Sequence, residues 1–193
     1  YDEIRNALVE CFRLLGFHNL EDEIEILPSK NLGEEKYAVL KAPHGLVLSA
    51  PIRNSEVVTE GVLGETVFLL KRSENGFYLS HTSDGYLGYI HSSFLHTMDE
   101  EDFTQFRNGD HVCLLAEFPV KDRGNDLLLP IGADLKVVEC EIDTVTVRLS
   151  GGGIVSLPRP ICKIYSDEPN VRLERAIQVA QQLIGTPYRW GGK

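Results

Sequence analysis

Residues 66–80, Thr66-Val67-Phe68-Leu69-Leu70-Lys71-Arg72-Ser73-Glu74-Asn75-Gly76-Phe77-Tyr78-Leu79-Ser80, decide the fold class. Two runs rich in branched and aromatic residues flank a turn that ends in Asn-Gly, the dipeptide that most readily takes the left-handed backbone of a tight hairpin. The same grammar continues outward. Tyr37-Ala38-Val39-Leu40, Gly45-Leu46-Val47-Leu48 and Gly88-Tyr89-Ile90 are strand-length, with Ala42-Pro43-His44-Gly45 and Ser83-Asp84-Gly85 as turns between runs. Five short strands between Tyr37 and Leu95 predict a small barrel, since a chain of short hairpins buries its apolar face by closing on itself.

A second β-rich block runs from about Asp110 to Tyr165. His111-Val112-Cys113-Leu114-Leu115-Ala116, Asp126-Leu127-Leu128-Leu129, Leu135 to Cys140 and Thr144 to Leu149 alternate or run apolar, and Gly151-Gly152-Gly153 turns the chain into Ile154-Val155-Ser156-Leu157. It predicts another barrel. Between the blocks, Asp99-Glu100-Glu101-Asp102 reads as an acidic, solvated linker. Ile4, Leu8, Phe12 and Leu15 have helical spacing before Gly16, which predicts an N-terminal helix whose apolar stripe docks on a neighbouring domain. Leu173, Ala176, Ile177, Ala180, Leu183 and Ile184 predict a second amphipathic helix that Pro169 and Asn170 start and Gly185 ends.

With 19 Lys plus Arg against 29 Asp plus Glu, the net charge of −10 argues against phosphate backbones and anionic membranes as partners. The longest apolar runs, Val112 to Ala116 and Val67 to Leu70, fall far short of the roughly 20 residues of a bilayer span. Tyr1-Asp2-Glu3 opens on acids, unlike a signal peptide. Cys11, Cys113, Cys140 and Cys162 have no CxxC spacing and read as small buried hydrophobes; a Cys113–Cys140 bridge between neighbouring strands stays open for an oxidising compartment. His18, His44, His81, His91, His96 and His111 are scattered without ligand spacing, so no metal site and no cofactor are expected. The triple glycine lacks the strand-to-helix setting of a phosphate loop.

Three stretches of the first block are more specific than a generic barrel. Ala50-Pro51-Ile52-Arg53-Asn54, Thr59-Glu60-Gly61-Val62-Leu63-Gly64-Glu65 and Asp84-Gly85-Tyr86-Leu87-Gly88-Tyr89-Ile90 resemble the signature of bacterial SH3 (SH3b) domains, with Tyr89 where that family often has Trp. Gly185-Thr186-Pro187-Tyr188-Arg189-Trp190-Gly191-Gly192 resembles the opening of the catalytic domain of NlpC/P60 cysteine peptidases. The order is similar to that of γ-D-glutamyl-L-diamino acid endopeptidases, which cut murein peptides. The resemblance implies a mainly β chain of two small SH3-like barrels, with an N-terminal helix and a C-terminal helix leading into a truncated α+β papain-like domain. The implied divisions are a helical segment at 1–35, SH3b at 36–98, a second SH3-like unit at 104–165, and the start of the NlpC/P60 domain at 166–193.

In that family a thiolate attacks the scissile carbonyl, activated by a histidine that a third polar group orients. The nucleophile and base are expected beyond Lys193, and none of the four cysteines matches. Among residues present, Tyr188 is the candidate donor on the oxyanion side and Trp190 a wall of the cleft, because alternate residues of an extended turn project to one side. The resemblance further implies that Tyr86 binds the free amino end of the peptide, which requires an acidic partner; Glu56 and Glu60 both remain open for that role. Murein stem peptides are the implied partners, in a bacterial envelope, periplasm, secreted or cytoplasmic recycling setting. A non-catalytic SH3b wall-binding or scaffold module is the alternative.

Overall fold

The structure is a computed structural model and describes residues 2–165, 177, 180, 181, 184–188 and 190–192. Among the described residues the chain is mainly β, with two α-helical elements, Asp2–Leu14 and Glu100–Arg107, and antiparallel sheets. Helix α1 (Asp2–Leu14) is closed by Gly16, whose φ of 92° only a residue without a Cβ takes freely. Its apolar stripe is not docked: Ile4, Leu8, Phe12 and Leu15 are all exposed, so the expected packing partner is not found among the described residues. The amphipathic segment predicted between Pro169 and Gly185 lies largely outside the described residues.

The first sheet holds β1 (Tyr37–Leu40), β2 (His44–Leu48), β3 (Val57–Val62), β4 (Thr66–Arg72), β5 (Phe77–Thr82), β6 (Leu87–His91) and β7 (Leu95–Met98), in the order β3-β2-β6-β5-β4-β1-β7. The Asn75-Gly76 hairpin joins β4 to β5 as read from sequence, with Gly76 at φ 82°. Leu40, Val47, Leu69 and Ile90 fill the core from one face. The ladders form a linear series ending at β3 and β7 rather than the closed ring expected. Strand β2 meets β6 at one residue pair, Leu48 with Tyr89, and bulges at Val47/Leu48 and Leu69/Lys71 bend the sheet, so pairing stops before the ends meet.

The acidic run between the two sheets is exposed, as read from the sequence, and it also starts a helix. Asp99 caps helix α2 (Glu100–Arg107), its Oδ1 accepting from the Asp102 N–H at 2.8 Å. Carboxylates in a first helical turn are favoured by the exposed N–H groups and the positive end of the helix dipole, so this cluster starts a helix. Phe103 stacks on Tyr37 at 4.2 Å between ring centroids, and Phe106 meets His111 edge-on, so α2 bridges the two sheets.

The second sheet, in the order β13-β12-β11-β8-β14, comprises β8 (His111–Leu114), β11 (Asp134–Cys140), β12 (Thr144–Arg148), β13 (Ile154–Pro158) and β14 (Cys162–Tyr165). It too is open, and a separate hairpin of β9 (Phe118–Asp122) and β10 (Asn125–Leu129) lays Phe118, Val120 and Leu127 on its core. That core takes one residue from the first block. Leu63, 1% exposed, packs with Val112, Leu114, Leu135 and Leu157. Its carbonyl accepts from the Asp134 N–H at 2.9 Å. Asp134 in turn faces His111 Nδ1 at 3.0 Å and accepts from the Tyr165 hydroxyl.

Candidate functional site

Tyr86 stands in the turn between β5 and β6. Thr82 clamps that turn: its N–H donates to the Tyr86 carbonyl at 2.9 Å, its Oγ1 accepts from the Tyr86 N–H at 3.0 Å, and its own carbonyl accepts from the Gly85 N–H at 3.0 Å. Ser83 Oγ donates to Glu65 Oε1 at 2.8 Å, tying the turn to the start of β4. The result is a fixed backbone carrying a phenol that is 50% exposed.

Register places other candidates at the same end of the sheet. The last residue of β2, Leu48, pairs with Val57 at the start of β3 and with Tyr89 of β6, while the Ser49 N–H donates to the Glu56 carbonyl at 2.9 Å. Glu56 immediately precedes β3 and Tyr86 immediately precedes β6. Both therefore sit where β2 ends. Ser55 Oγ lies 2.8 Å from the carbonyls of Ala50 and Ile52, which orders the loop carrying Glu56.

The terminal stretch returns to that end. Gly191 lies against Val57 so closely that a Cβ on it would be 2.8 Å from Val57 Cγ1 and 3.1 Å from the Val57 carbonyl oxygen. Tyr188 is 85% and Trp190 67% exposed, so neither ring is sealed in a core. Glu60 is placed differently. It lies opposite Leu46 within β3, and its Oε1 is 3.6 Å from His44 Nδ1 at the start of β2, towards the other end of the strand pair.

The cysteines are all free thiols. The Cys113–Cys140 bridge is not formed, because the ladder sets Cys113 opposite Asp134 and Cys140 opposite Val145. Burial pushes the Cys162 thiol up to about 11, with Cys140 adding to the rise and Arg159 opposing it. At neutral pH Cys162 is a protonated thiol, the weaker nucleophile. The raised value means that the folded state resists ionisation, so its contribution to stability is present below the ordinary value of 9.0 and lost as pH climbs towards 11. Urea midpoints measured between pH 8 and 11 should fall across that window less steeply in Cys162→Ala than in the parent; identical slopes would show that Cys162 does not contribute.

No family model matches the sequence, and no curated protein matches it. Among solved structures the chain is similar to an NlpC/P60 family protein from Bacillus cereus ATCC 10987, at 16% identity over 81% of this chain and 66% of that one, with a TM-score of 0.63. It is also similar to an NlpC/P60 endopeptidase from Photobacterium damselae subsp. piscicida, at 16% identity over 86% of this chain and 41% of that chain, with a TM-score of 0.58. The chain shares their fold. It spans 66% and 41% of their lengths. Among the described residues no helix is long and apolar enough to cross a membrane.

The sequence reading missed α2, β3, β7, β9 and β14. The signal for α2 was present in Asp99 three residues before Asp102, an aspartate cap followed by acids, and the charge run masked it.

Proposed function

We propose that this chain is the substrate-gating region of a bacterial cysteine endopeptidase that cleaves γ-D-Glu-diamino acid bonds in murein peptides. The observation that carries the reading is the return of Gly191 to Val57, at the sheet end where Tyr86 and Glu56 also stand. The shared fold with two NlpC/P60 proteins supports it. On this reading residues 36–98 and 104–165 act as two SH3-like units, the first of them SH3b, and 166–193 lead into the peptidase domain, whose thiolate and imidazole perform the acyl transfer. The enzyme works in the envelope, in secreted form or in cytoplasmic recycling.

In the cleft so formed, Tyr86 and Glu56 receive the free ammonium of the peptide. An ammonium leaving water needs both hydrogen-bond acceptors and a compensating charge, which a phenol oxygen and a carboxylate supply together. Glu56 suits this better than Glu60, which lies beside His44. Trp190 walls the cleft, and Tyr188 donates to the oxygen that becomes negative during attack.

Tyr86→Phe in the intact enzyme should raise KM several-fold for L-Ala-γ-D-Glu-diaminopimelate with little change in kcat, because the contact to the ammonium is made in the ground state too. Preference for the free over the N-acetylated peptide should shrink. Steady-state kinetics on both peptides decide it: unchanged discrimination would leave the first sheet a scaffold or wall-binding module.

A further inference from the structure

The two sheets and α2 enclose a cleft of about 500 Å³. That volume suits a small organic ligand. Its apolar walls come from Val39 and Met98 of the first sheet, Phe106 of α2 and Val137 of the second. Its charged groups are Lys136, Arg148 and Asp102.

In a protein of net charge −10, the placing of the two cations stands out. Lys136 and Arg148 face each other in register across β11 and β12. Like charges directly opposite one another on antiparallel strands repel, and the arrangement is relieved by an anion between or above them. Lys136 Nζ is steered by donating to the Gln105 carbonyl, whereas Arg148 has no ion pair among the described residues. Beside Arg148 the wall continues into Ser150, 8% exposed, whose Oγ is buried without a hydrogen-bond partner. The loop beyond it is pinned by Arg123, whose Nη2 donates to the Gly151 carbonyl at 2.8 Å.

Asp102 narrows the ligand class. Its N–H donates to Asp99 Oδ1, which fixes the first turn of α2, and Asp102 lines the cleft. A simple inorganic anion would meet that carboxylate at a cost; a molecule carrying both a carboxylate and an ammonium would not. We propose that this cleft binds a zwitterionic amino acid or short peptide, its carboxylate on Arg148 and Lys136, its ammonium on Asp102, and an apolar side chain against Phe106 and the exposed Val138.

The test needs no peptidase activity. Calorimetric titration of the 193-residue chain with L-Ala-L-Leu should show saturable binding, weakened roughly tenfold or more by amidation of the ligand carboxylate or by Arg148→Gln, since each removes a charge-assisted hydrogen bond. N-acetylation should weaken binding to the parent, and Asp102→Asn should remove the difference between free and acetylated ligand. Arg148 and Asp102 are exposed, and the ligand analogues test the parent protein directly, so the result does not depend on the variants' folding. Absence of saturable binding, equal affinity for amidated and free dipeptide, or tighter binding of inorganic phosphate than of the dipeptide would each overturn the proposal.

Discussion

Gly64→Ala should destabilise the protein by about 2 to 5 kcal/mol, the sum of a left-handed backbone imposed on a residue with a Cβ and a collision that the junction cannot absorb. Gly64 has a φ of 87°, and a Cβ built on it falls onto the carbonyl of Asp134, a backbone group held in a ladder. Moving that carbonyl disturbs the Asp134 N–H that bonds the Leu63 carbonyl, and with it the insertion of Leu63 into the second core. Gly85 supplies the comparison. Its φ is 91° but nothing lies within 4 Å of its would-be Cβ, so Gly85→Ala should cost only the backbone term, about 1 to 2 kcal/mol. Urea midpoints of the two variants at matched slope measure the difference. Equal losses would mean that the two sheets do not meet at Gly64 and Asp134.

Tyr188→Phe in the intact enzyme should lower kcat roughly 100- to 1000-fold, about 2.7 to 4 kcal/mol of transition-state stabilisation, with KM almost unchanged. The expectation rests on the proposed function. A hydroxyl aimed at a developing oxyanion acts where charge appears, so its loss is felt in turnover rather than in substrate binding. The Tyr188 ring is exposed, on a stretch that Gly191 anchors against Val57. Single-turnover and steady-state rates on L-Ala-γ-D-Glu-diaminopimelate separate the cases. A rise in KM at constant kcat would make Tyr188 a binding residue, and no effect on either would remove it from the site.

What the sequence by itself determined is local. Asn75-Gly76 and Ser83-Asp84-Gly85 place hairpins where the structure has them, because positive φ is a property of single residues and needs no tertiary context. The runs at Tyr37–Leu40, Thr66–Arg72, Phe77–Thr82 and Thr144–Arg148 are strands for a similarly local reason, branched and aromatic side chains at short spacing. The exposed turn position of Tyr86 follows from the same grammar. Tertiary structure decided everything that depends on register or on distant contacts. That the ladders stop short of closing depends on where bulges interrupt β2 and β4, and a bulge is chosen by packing on both faces. The β2–β3 register leaves Glu56 at the strand end and sets Glu60 beside His44, a difference in place that no local pattern marks. Leu63 read as part of the first block and fills the core of the second. Lys136 and Arg148 are two cations separated along the chain that become a pair only when β11 lies on β12, so the cleft they share with Asp102 had no signature in the sequence.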